Sequence, residues 1–220
     1  MAATQVQQKT YASSTQSTSH SITFDSAITQ NNLLILCVVA DAVATTPAGW
    51  SVATSAVDFT GSYIYYKVAG AGESTTVSIT IGASSHCCIQ GFEYSGCATS
   101  SPLDVFVSAT AQGGGSSASP GTTSSTSQAN ELAVGLVGLG LGLVNVSVTA
   151  WDNSFVQENQ IASTGTGTLV RSAVATKTLS SIGTVTYTTT LSTAASNQCA
   201  LLATFKANNL SFATVAWIIA

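Results

Sequence analysis

The residues able to do chemistry are few. Two histidines, His20 and His86, stand in 220 residues beside five cysteines and nine acids. His86 follows Ser84 and Ser85, and Asp41, Asp104 or Asp152 could complete a Ser-His-Asp relay. Such a relay needs an oriented base and an exposed nucleophile. No Gly-x-Ser-x-Gly elbow is present,. About three residues in ten are Ser or Thr, so a serine beside a histidine carries little information. Glycoside hydrolysis needs two facing carboxylates. The acids here are scattered, mostly near turns. Nucleotide-binding glycine motifs and calcium-loop spacings are missing,. These residues predict a protein that is not an enzyme and that uses no cofactor or metal.

Two Trp/Asp combinations remain as ligand contacts: Trp50 with Asp41, and Trp151 with Asp152. An indole face and a carboxylate in one loop can hold a sugar. The competing reading has both tryptophans plugging equivalent ends of a core. Cys37, Cys87, Cys88, Cys97 and Cys199 read as buried free thiols, with a bridge from Cys87 or Cys88 to Cys97 as the alternative,.

These residues need a scaffold, and hydropathy of period two supplies it. Thr75 to Ile81 alternates cleanly, and Leu33 to Ala40 is an unbroken apolar run. Turn signals at Pro47-Ala48-Gly49, Gly70-Ala71-Gly72, Gly96 and Pro102 separate such segments,. The chain is therefore all-β, and the pattern predicts one jelly-roll-like sandwich of about eight to ten strands.

The features also repeat. Gln30 to Ala40 resembles Gln128 to Gly138, with Asn32 matching Asn130. Trp50 and Trp151 follow at similar distances, then Cys88 and Cys199, then Tyr94 and Phe205. The expectation is one sandwich over residues 1–207. Its halves are about 20–108 and 128–207, joined by a Gly/Ser/Thr-rich connector at 109–127. Each half has too few strands to close a core alone, so the two must pack together.

Only 6% of residues are charged, against about 25% in an ordinary domain,. Five basic residues cannot make a phosphate-binding stripe, so no nucleic acid is expected,. So charge-poor a surface is poorly protected from association, which points to a homo-oligomer. No run of ~18 apolar residues exists to span a bilayer. The first 21 residues are polar, which reads as a native start without a leader,. The apolar residues 208–220 read as an extra core strand, a membrane contact, or an arm on a neighbouring subunit. The arm would act through Leu210, Phe212, Val215, Trp217, Ile218 and Ile219.

Several motifs together resemble a known module. They are Pro47-Ala48-Gly49-Trp50, the run Tyr65 to Glu73, Glu93-Tyr94-Ser95-Gly96, Pro102-Leu103-Asp104, Ala129 to Gly135, and Ala203-Thr204-Phe205-Lys206. The chain is similar, over about residues 20 to 207, to β-sandwich modules of tailed-phage virion proteins and of bacterial surface or secreted proteins. The resemblance implies a virion protein, such as a capsid decoration or fibre subunit with other virion proteins as partners. It carries over no catalytic residue. A glycan-binding or adhesive module and a secreted surface-filament or matrix protein are the alternatives.

Overall fold

The computed structural model describes residues 2–58, 60–140 and 146–208. Apolar residues 210, 212, 215 and 217–219 therefore lie outside the described residues. Every described element is a strand. In chain order they are β1 (Thr4–Ala12), β2 (Ser17–Thr23), β3 (Leu33–Ala40), β4 (Ser51–Val57), β5 (Gly61–Val68), β6 (Thr76–Ser85) and β7 (Cys87–Ser95). Then come β8 (Leu103–Ala118), β9 (Leu132–Gly140), β10 (Val148–Trp151), β11 (Val156–Ala162), β12 (Val170–Thr178) and β13 (Thr189–Phe205). The thirteen exceed the eight to ten expected, because polar edge segments also pair.

The first sheet has the order β1-β7-β3-β5-β4. The second has β13-β9-β12-β11, with both β8 and β10 on the outer side of β13. Substituting β8 for β1, β13 for β7, β9 for β3, β12 for β5 and β11 for β4 turns one order into the other. The duplication thus begins with β1, which the polar N-terminus had hidden, and resumes with β8. Residues 109–127 are correspondingly no plain connector. β8 runs to Ala118, and Thr123 and Thr126 donate their backbone N–H groups to Val185 and Gly183.

Hydrogen-bond registers fix the residue matches. Leu33 faces Val68 and Tyr94, while Leu132 faces Thr178 and Phe205. The equivalent asparagines are therefore Asn31 and Asn130, one residue from the sequence match. Both hold positive φ, 70° and 62°, a conformation that asparagine tolerates better than most residues,. The Cys88/Cys199 and Tyr94/Phe205 matches agree with this register: Val39 faces Cys88 as Gly138 faces Cys199.

The two sheets pack face to face. Between them Ile35, Cys37 and Phe92 of the first half meet Leu136, Val174 and Leu201 of the second. Each sheet also has an outer core. The β2–β6 pair covers Leu34, Leu36 and Val38 with Ile22, Ile79 and Ile81. In the second half Val185, Tyr187 and Leu191 cover Ala133, Val137 and Leu139. Central strands β3 and β9 are thus buried on both faces, which is why they read as unbroken apolar runs,. Each fully buried Leu or Ile contributes about 1.5–3 kcal/mol. Each half thus has an outer core of its own, while the core between the sheets is shared by both halves. Gly138 marks the tightest crossing: a Cβ there would lie 2.0 Å from Ser62 Oγ on β5.

Candidate functional site

The paired loops and strand ends are where side chains of different elements converge. Trp50 is buried with Tyr63 and Tyr65 behind the first sheet, so it is core. Its N–H donates to Pro47 O, and Phe155 makes the same turn by donating to Asp152 O. Ser51 on β4 faces Tyr66, and Val156 on β11 faces Thr176. The structural partner of Trp50 is consequently Phe155. Asp41 does not join Trp50; it takes a hydrogen bond from Thr168 and lies near His86. Burial raises its carboxyl pKa, an effect partly offset by those two groups.

Trp151 stands half-buried on β10. Its indole N–H donates to Gln157 Oε1 at 3.0 Å, and its ring packs at 4.8 Å from Tyr187 and 6.4 Å from Phe155. The adjacent Asp152 accepts the Thr188 N–H at 2.6 Å. Beside them opens a groove of about 220 Å³ lined by Asn153, Lys177, Leu179, Thr184, Val185 and Thr186. Lys177 Nζ donates to Asn153 O at 2.8 Å and lies 6.0 Å above the Phe155 ring. Its counterpart in the first half is Lys67, which pairs with Glu73 at 2.7 Å. Among the described residues Lys177 has no acidic partner, so this repeat end presents an uncompensated cation next to an accessible indole.

His86 meets a serine, but not one beside it in sequence. Ser13 Oγ lies 3.1 Å from His86 Nδ1, and His86 Nε2 is 2.9 Å from Thr166 O. Ser13 Oγ also accepts the Cys87 N–H. Both side chains are buried, Ser13 at 1% and His86 at 0% exposure. A nucleophile must be reachable, and its base must be oriented by an acid. Here Nε2 faces a backbone carbonyl and the hydroxyl is sealed in. Ser13 O also accepts the Thr164 N–H, so the cluster clasps the β11–β12 turn of one half onto the other half. His20 is similarly occupied, by the Tyr11 hydroxyl and Ser85 O.

The second polar cluster gathers at the ends of β8, β9 and β13. Asp104 accepts the Ser127 N–H at 2.6 Å and the Ser127 hydroxyl at 2.8 Å, and Lys206 Nζ is 3.6 Å away. Despite desolvation, these donors hold the Asp104 pKa below its ordinary value. Glu131 is wholly buried. Burial first, and the Asp104 carboxylate second, push its pKa up to about 7, against relief from Thr204 and the Gln128 backbone. The first half holds a buried acid in the same corner, supplied from the opposite strand. There Glu93 accepts from Gln7, Asn32 and the Thr29 N–H, and this network outweighs burial to lower its pKa. Sequence reading passed over both clusters, although Pro102-Leu103-Asp104 and Asn130-Glu131-Leu132 were visible as motifs.

All five cysteines are buried and free, which agrees with the thiol reading. No group of three potential metal ligands occurs among the described residues, and no described helix is long and apolar enough to cross a membrane. No family model matches the chain, and no curated protein or solved structure matches it significantly.

Proposed function

We propose that this protein is a non-enzymatic structural subunit that works through contacts with further copies of itself and with other proteins of an assembly. The carrying observation is the outer strand β4. It pairs with β5 alone, its far side touched by the Ser108 hydroxyl at Ser55 O and the Cys199 thiol at Ala56 O, and it contains neither a charge nor a proline. Val52 and Val57 on it are 42% and 50% exposed, and Phe106 on the neighbouring strand β8 is 55% exposed. Sheet edges that stay monomeric are ordinarily blunted by charge, proline or cover. The module likeness supports a jelly-roll-like virion component of a tailed phage, a capsid decoration or fibre subunit. Residues from Leu210 onward would add apolar contact. The same surface would serve a secreted surface filament. Light scattering on the intact chain tests the proposal: a defined oligomer supports it and a monomer at all concentrations refutes it.

A second reading, a glycan-binding or adhesive module, is favoured by half-buried Trp151 beside the Lys177 groove. Screening the intact chain against acidic and neutral glycans, with Trp151→Ala as control, separates it from the first.

A further inference from the structure

We propose that Lys206 and Asp104 condense into an intramolecular amide, with Glu131 carrying protons for the step. Three strand ends bring these groups together. Asp104 is the second residue of β8, Lys206 follows β13, and Glu131 precedes β9, while β13 lies between β8 and β9. The Lys206 N–H donates to Pro102 O at 2.7 Å, which fixes the register of the two reacting residues. Lys206 Nζ stands 3.6 Å from Asp104 Oδ1; the Asp104 side chain is 9% exposed and that of Lys206 28%.

The surroundings place hydrogen-bond donors and a buried acid beside the pair. Ser127 aims its N–H at Oδ2 and its hydroxyl at Oδ1, where charge builds as a carboxyl carbon becomes tetrahedral,. Glu131 is buried at 0% exposure, and neither of its oxygens has a partner at full hydrogen-bonding geometry. A buried acid whose pKa is raised to about 7 can both give and retake a proton near neutrality,. A structural ion pair needs no such third group. The counterparts in the first half, Ser95, Val6 and Asn32, could not do this chemistry, so the cluster is specific to the second repeat.

The balance is simple. The ammonium of Lys206 gives one proton to the Asp104 carboxylate, and its freed nitrogen attacks the carboxyl carbon, forming the C–N bond. Glu131 donates its proton to Oδ1 and recovers one from the nitrogen. The C–Oδ1 bond breaks, and Oδ1 leaves as water. Two ammonium protons end in that water and one stays on the amide nitrogen. No oxidant or co-reactant is needed. Fixed proximity supplies the driving advantage, since well-oriented intramolecular pairs reach effective molarities of about 10⁵–10⁸ M. The product would tie the first strand of the second repeat to the end of its last.

The intact mass of the full chain tests this. The expected mass is one water below that of the sequence. Trypsin should fail to cut after Lys206 and should release a branched peptide containing Asp104. Lys206→Met, Asp104→Ala and Glu131→Gln should each show the full mass for their sequences. Cooperative melting of each variant confirms that it folds. Should Glu131→Gln fail to fold, wild type against Lys206→Met decides. A wild-type chain at its full sequence mass overturns the proposal, as does a water loss that survives in Lys206→Met.

Discussion

Glu93 and Glu131 occupy the same buried corner of the two repeats from opposite strands. Glu93 lies on β7 facing Asn32, and Glu131 stands at the Asn32 position facing Thr204. The duplicated fold keeps the carboxyl site while exchanging which strand supplies it. The two acids then diverge by environment: at Glu93 the donors outweigh burial and lower the pKa, whereas at Glu131 burial and the Asp104 carboxylate outweigh Thr204 and the Gln128 backbone and raise it.

Glu93 should therefore make stability pH-dependent in one direction. Its folded pKa lies below its ordinary value, so its contribution is fully present above the unfolded pKa, near 4.3,. That contribution is lost as pH falls through the folded pKa. Glu93→Ala strands the donors of Gln7, Thr29 and Asn32 and should cost about 3 kcal/mol at pH 7. Urea unfolding at pH 7 and pH 3 checks this: the gap between wild type and variant should narrow at the lower pH.

The Ser13–His86–Thr166 clasp should hold the halves together. His86→Ala removes two buried hydrogen bonds and should cost about 2–4 kcal/mol,. Gly165→Ala should hurt independently, because φ is +107° and a Cβ would sit 2.4 Å from Ser14 O. Chemical denaturation of each variant measures both costs.

The tryptophans should behave unlike one another. Trp50→Ala opens a core cavity and should cost about 3–5 kcal/mol,. Trp151→Ala should cost less and should remove the more accessible of the two described indoles. Iodide quenching of the two variants against wild type separates these roles.

The thiols should be inert in the folded state. Burial raises every cysteine pKa, that of Cys88 and Cys97 to about 12. The reactive thiolate is therefore scarce at neutral pH. A thiol-reactive dye should label the native chain only slowly and all five positions at once in denaturant.

The fold was legible where burial imposed a period. β6 alternates between exposed and buried side chains from Thr76 to Ile81, and β3 is apolar throughout. β1 was not legible: its half-buried side chains include Gln5, Gln7 and Lys9, and a bulge between Gln5 and Gln7 breaks the period, so no apolar alternation is left. Trp50 and Trp151 look alike in sequence, but a turn of shared geometry shows that Phe155 fills the Trp50 place. The sites escaped for a different reason. Ser13 meets His86, and Asp104 meets Lys206, only through strand pairing between residues far apart in the chain. Nothing local in the sequence encodes such meetings.

Assembly through the uncharged edge at β4 is open to sedimentation velocity over a concentration series. The intact chain and a Val52→Lys/Val57→Lys variant would be compared. Both positions are exposed, so the variant should fold, and its new charges should guard the edge,. An oligomer is expected for the wild type and a shift towards monomer for the variant. A wild type that sediments as a monomer throughout, or a variant that assembles unchanged, would contradict assembly through this edge.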